Sequence, residues 1–154
     1  MSLAWIARAT EKPELIFLPC CGMAALTVSQ LLRLITLRVG AVLGRKTSIK
    51  YYRLYNTTDG EPEHVAKVSQ HVENLFESPP LFYIAVIILY LCRGVTPAAA
   101  GTAWAYLACR VAHMLVHTGY NNVNHRALTF GSSILSLSAL WVMVASRVLE
   151  VASA

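Results

Sequence analysis

The sequence predicts an all-α integral membrane protein, a single domain over residues 1–154 in which four helices bundle across a bilayer. Composition carries the first half of this reading. Hydrophobic residues make up 56% of the chain and charged residues only 14%, whereas a soluble domain is about a quarter charged. Segmentation carries the second half. The apolar residues gather into stretches near the roughly 20 residues that a helix needs to cross the hydrocarbon core. Four such stretches with short connections use nearly the whole length, which leaves no room for a separate soluble domain. The formal net charge of +5 then reports orientation rather than nucleic-acid binding.

The first segment spans roughly residues 13–44, from Pro13 and Leu15 through Leu32 to a basic end at Arg33, Arg38, Arg45 and Lys46. Arg8 and Lys12 precede it, as in a signal peptide. Glu11 and Glu14 break up that basic stretch, however, and no small-residue cleavage site follows, so a retained helix is expected. Arg33 and Arg38 either extend to the headgroup layer or turn inward. A polar loop follows, with Tyr51, Tyr52, Arg53, Tyr55 and the turn-forming Asn56-Thr57-Thr58-Asp59-Gly60.

The second segment spans roughly residues 63–92. Its continuous apolar run, Leu81 to Cys92, is too short to cross a bilayer. The helix must therefore begin near Pro62 to Val65 and carry Gln70, His71, Glu73, Asn74 and Glu77 toward the membrane, with a kink at Pro79-Pro80. The third segment spans roughly residues 96–119, with small residues Ala98 to Gly101 and Ala103 suited to close packing. The fourth spans roughly residues 126–149 and carries Ser132, Ser133, Ser136 and Ser138, which suit interhelical hydrogen bonds. The four cysteines, Cys20, Cys21, Cys92 and Cys109, lie in apolar stretches without zinc spacing and read as buried, inert thiols.

Arg45, Lys46, Lys50 and Arg53 crowd the first loop, whereas the loop between segments two and three holds only Arg93. The positive-inside rule places the first loop in the cytoplasm, with the loop from Tyr120 to His125, and both termini outside.

With that orientation, a polar constellation falls at one depth. Gln70, Asn74 and Glu77 stand at i, i+4 and i+7 on segment two, and Arg110, His113 and His117 at i, i+3 and i+7 on segment three. Arg126 opens segment four. Each has a purely structural reading: an ion pair between Glu77 and Arg110, an interfacial His117, an interhelical hydrogen bond from Asn74. Gathered at one depth, they point to a polar site, because ionisable groups inside a membrane are costly and mark function. A metal centre from His113, His117 and Glu77 is disfavoured. Arg110 opposes a cation, and no second histidine pair completes the ligand count.

At these residues the chain resembles the MAPEG superfamily, the membrane-associated proteins in eicosanoid and glutathione metabolism. The resemblance rests on Asn74-Leu75-Phe76-Glu77 followed by Pro79-Pro80, on Arg110-Val111-Ala112-His113, and on Arg126. It covers nearly the whole chain, and the runs Asn74–Tyr83 and Tyr120–Arg126 look most like the bacterial branch. The resemblance implies a homotrimer in a bacterial inner membrane, with glutathione between neighbouring subunits near the cytoplasmic side. Arg38, Asn74, Glu77, Arg110, His113 and His117 would surround the tripeptide, and Arg126 would act as the catalytic group that stabilises its thiolate. The implied activity is a glutathione-dependent transferase or peroxidase acting on lipophilic electrophiles that enter from the membrane lipid. Gln70 and Glu73 stand where glutathione-using members often carry arginines, and His117 and Phe130 where tyrosines are common. These departures suit the alternative, a non-catalytic member that binds a lipid or other amphiphile. A transporter ranks behind both, since one polar cluster in half the membrane forms no continuous path.

Overall fold

A computed structural model of the chain describes residues 11–54 and 60–154, and no strand occurs among them. Five main helices follow in order: α1 Leu18–Leu43, α2 Glu63–Glu77, α3 Pro79–Leu91, α4 Pro97–Thr118 and α5 Val123–Ala152. A 3-10 turn, Pro13–Phe17, leads into α1, and a single helical turn, Tyr51–Leu54, lies after it. Arg8, Tyr55 and all of the expected turn except Gly60 lie outside the described residues.

Among the described residues, three stretches are long and apolar enough to cross a membrane: Pro13–Leu43, Glu63–Leu91 and Val123–Ala152. The protein is therefore an integral membrane protein. The remaining expected segment, α4, is a helix of 22 residues. It falls short by apolarity because its second half carries Arg110, His113 and His117, all buried inside the protein.

The local chemistry of each boundary is visible. The helix pair α2–α3 breaks at Ser78, just ahead of the expected kink. Pro79 has no amide hydrogen to continue the ladder, and the amides of Leu81 and Phe82 turn back to the Ser78 carbonyl at 3.1 and 3.3 Å. Thr96 caps α4 by accepting from the Ala99 amide at 3.1 Å. Asn122 caps α5 by accepting from the amides of Asn124 and His125 at 3.0 and 3.1 Å. That cap starts α5 at Val123, ahead of the expected Arg126, and with no glycine or proline near the other end the helix runs on to Ala152.

Two expectations are corrected. Ser132, Ser133 and Ser136 do not bridge helices; their hydroxyls donate to the carbonyls of Leu128, Phe130 and Ser132 in their own helix. A serine three or four residues after a carbonyl satisfies itself locally before any neighbour is reached. The cysteines are not buried within the chain: Cys21 is exposed and the other three are half-buried. Cys20 packs on the edge of the core, and Cys92 lies just past the end of α3.

The core has two parts. One gathers Ile16 of the 3-10 turn with Met23, Leu75, Phe82, Leu89, Ala103, Tyr106 and Leu140, so that every main helix contributes. The other lies between α1 and α2 and holds Leu34, Ala41, Val65, Val68 and Val72. Helix α4 packs most extensively on α5, helped by Ala99, Ala100 and Ala103, which are all but fully buried. Small side chains let the backbones approach closely. Outward faces stay apolar: Leu128, Leu135, Val142 and Leu149 form an exposed stripe along α5.

Candidate functional site

The site is built where α2, α4 and α5 meet. On α4, Arg110, His113 and His117 are all buried, so this predicted face does point inward. On α2 the predicted face is divided: Gln70 and Glu77 are exposed and Asn74 is half-buried. The buried stripe of α2 runs through Val65, Val68, His71, Val72 and Leu75, and it brings in His71, which the choice of the Gln70 face had missed. The apolar spacing around it was the available signal, because His71 shares the period of those valines.

Arg110 anchors the junction. Its Nη2 donates to the Asn74 carbonyl at 2.6 Å, and its guanidinium lies 5.6 Å from the centre of the Phe130 ring. Its Nε and Nη1 are buried without a hydrogen-bond partner among the described residues. The ion pair with Glu77 that the sequence allowed does not form; among the described residues the ion pairs join Arg38 to Glu61, Lys67 to Glu63 and Arg147 to Glu150. A buried guanidinium with two free donors is costly unless an anion reaches it.

His113 lies beside it. Its Nδ1 stands 3.3 Å from both the Arg126 carbonyl and the Thr129 hydroxyl. A carbonyl only accepts, so the Nδ1 carries the proton and Nε2 keeps its lone pair. Arg126 sits in the first turn of α5, with Nη1 donating to the Asn121 side chain at 3.0 Å. Asn121 itself adopts a left-handed backbone, φ 54°, which asparagine tolerates better than most residues, and this tight turn delivers its carboxamide to the arginine.

Asn74, His113, Arg126 and Phe130, with Val123 and Ala127, line an open cleft of about 330 Å³. Phe130 also borders a second, more apolar groove of about 670 Å³, with Glu77, Leu81, Leu137 and Trp141 among its walls. A polar cleft and an apolar groove thus share one wall. His117 lies behind His113, buried, and lines neither. Arg38 also lines neither; it is bound to Glu61 at 2.8 Å and to Ser69 at 2.9 Å.

The family model described as "MAPEG family" matches residues 16–146. No curated protein matches the chain.

Proposed function

The chain belongs to the MAPEG family, and from that premise we propose that it is a membrane-bound glutathione-dependent transferase or peroxidase acting on lipophilic electrophiles. The observation that carries the reading is Arg110, fully buried with Nε and Nη1 lacking partners, beside a cleft that also presents Arg126. Glutathione has two carboxylates, and arginine forks bind carboxylates in paired hydrogen bonds.

The roles follow from position. Arg110 and Asn74 hold one end of the tripeptide. His113, oriented by the Arg126 carbonyl, forms part of the cleft wall against which the tripeptide lies. Glu77, on the exposed side of α2, takes the α-amino group. Arg126, in the first turn of α5, stabilises the thiolate by charge and by the helix dipole. That thiolate is the nucleophile in either activity. The apolar groove across Phe130 supplies the partner substrate from the bilayer. A homotrimer suits a site this open, since a neighbouring subunit would cover Gln70, Glu73 and Glu77 and bring its own Arg38 to the tripeptide. In this reading four helices cross the membrane, including α4, as one domain of a bacterial inner-membrane protein. The site faces the cytoplasm, and both termini lie outside.

Purified protein in detergent, given glutathione and an aryl halide, tests the proposal. Thiolate absorbance on adding glutathione and a thioether product are expected; absence of both rejects it. A second reading has its own support. The apolar groove is larger than the polar cleft, and Gln70 and Glu73 add no positive charge, which suits a non-catalytic protein holding a lipid. Native mass spectrometry showing a retained lipid, with no affinity for glutathione, would favour it.

A further inference from the structure

Behind the cleft lies a cluster of which the proposed chemistry uses only His113. His71 of α2 and His113 and His117 of α4 form a nearly equilateral triangle of imidazoles. Their ring centres are 5.7 Å apart from His71 to each partner and 5.4 Å between the two on α4. All three are at most 2% exposed. Both ring nitrogens of His71, both of His117 and Nε2 of His113 have no hydrogen-bond partner among the described residues. One ligand nitrogen from each ring lies within 4.8 Å of the others.

Buried polar atoms in native proteins are almost always partnered. Five of the six imidazole nitrogens are orphaned, and one from each ring lies close enough to the other two for a single partner to serve all three. Neutral imidazole is a donor at one nitrogen and an acceptor at the other. Three rings pointing lone pairs inward have no donor of their own to share, but they match the ligand set of a divalent transition ion. One of the three rings is already held from behind. His113 donates its Nδ1 proton to the Arg126 carbonyl, as metal-bound histidines commonly do.

We propose that His71, His113 and His117 bind one zinc-class divalent cation per chain, with the fourth position open to an exogenous ligand. The third histidine that the sequence spacing lacked comes from the buried stripe of α2. Zn–N bonds of about 2.0–2.1 Å in tetrahedral geometry set nitrogen separations near 3.3 Å. Each pair must therefore close by no more than about 1.5 Å, within reach of small side-chain rotations. Arg110, one turn before His113 on α4, opposes a dication, so the fourth ligand is an anion such as hydroxide, chloride or a thiolate. The site shares the His113 ring with the proposed glutathione cleft, but its test needs no glutathione, so the two readings fail separately.

Chelator-stripped wild-type protein in detergent tests it by calorimetry with Zn²⁺ and by visible absorption with Co²⁺. One ion per chain and tetrahedral cobalt bands are expected. His71→Gln and His117→Gln are each expected to weaken binding by more than the roughly 10- to 100-fold that loss of an outer-shell partner causes. The other two histidines, His64 and His125, are exposed, and the double variant His64→Gln/His125→Gln is expected to bind as wild type does. No saturable binding by the wild type, an octahedral cobalt spectrum, or binding lost only in the double variant overturns the proposal. The wild-type measurements stand even where a triad variant fails to fold.

Discussion

The two halves of helix α4 treat buried polarity in opposite ways. In the first half, Tyr106 is fully buried, and its hydroxyl meets that of Ser78 at 3.0 Å while its ring stacks on Phe82 at 4.5 Å. Every demand that residue makes is met inside the chain. One turn later, Arg110, His113 and His117 are just as buried and leave donors and lone pairs unmet. The same helix is closed at one end, against Ser78 and Phe82, and open at the other, against α2 and α5. Polar groups kept for packing are satisfied by the fold, whereas polar groups kept for a ligand are satisfied by the ligand.

The contrast can be broken by substitution. Phe82→Ala, in the closed half, opens a cavity under Tyr106 and is expected to destabilise by about 3–5 kcal/mol, while glutathione affinity per folded molecule stays unchanged; thermal unfolding in detergent reads the first and calorimetry the second. Arg126→Ala, in the open half, should do the reverse. Removal of a group that stabilises developing charge lowers turnover by about 10²–10³, with the melting temperature nearly unchanged. Tyr106→Phe leaves the Ser78 hydroxyl unpaired and is expected to lose about 1–3 kcal/mol, again without effect on binding. Arg110→Met is the sharpest discriminator although its effect on stability is the smallest. It removes a buried, half-satisfied charge for an apolar group of similar length, so stability is expected to hold or rise by about 1 kcal/mol as glutathione affinity falls. A large loss of stability in Arg110→Met would place that residue with the closed half instead.

The membrane helices were legible because a bilayer leaves few alternatives: backbone groups in lipid must bond within their own segment, so a long apolar run is a helix. The polar start of the second span was legible for a related reason, since Leu81 to Cys92 alone is too short. The inward face of α4 was legible as well, because arginine and histidine at helical spacing in a largely apolar segment turn to protein rather than to apolar surroundings. The buried face of α2 was not. Gln70, Asn74 and Glu77 share one helical stripe and Val65, Val68, His71 and Leu75 another, and both are regular. Periodicity identifies a face without saying which side has protein behind it when the other side meets lipid, headgroups or another subunit. For the same reason the cysteines looked buried and proved half-buried or exposed. The serines of α5 misled differently, because a sequence shows the hydroxyl but not the carbonyl one turn back that takes its proton.

The most direct measurement is a glutathione binding isotherm on the wild type and on Arg126→Ala in the same detergent. Saturable binding by the wild type that is lost in the variant is expected if the open half of α4 and the first turn of α5 form a thiol-tripeptide site. No saturable binding by the wild type, or an isotherm unchanged by the substitution, would contradict it.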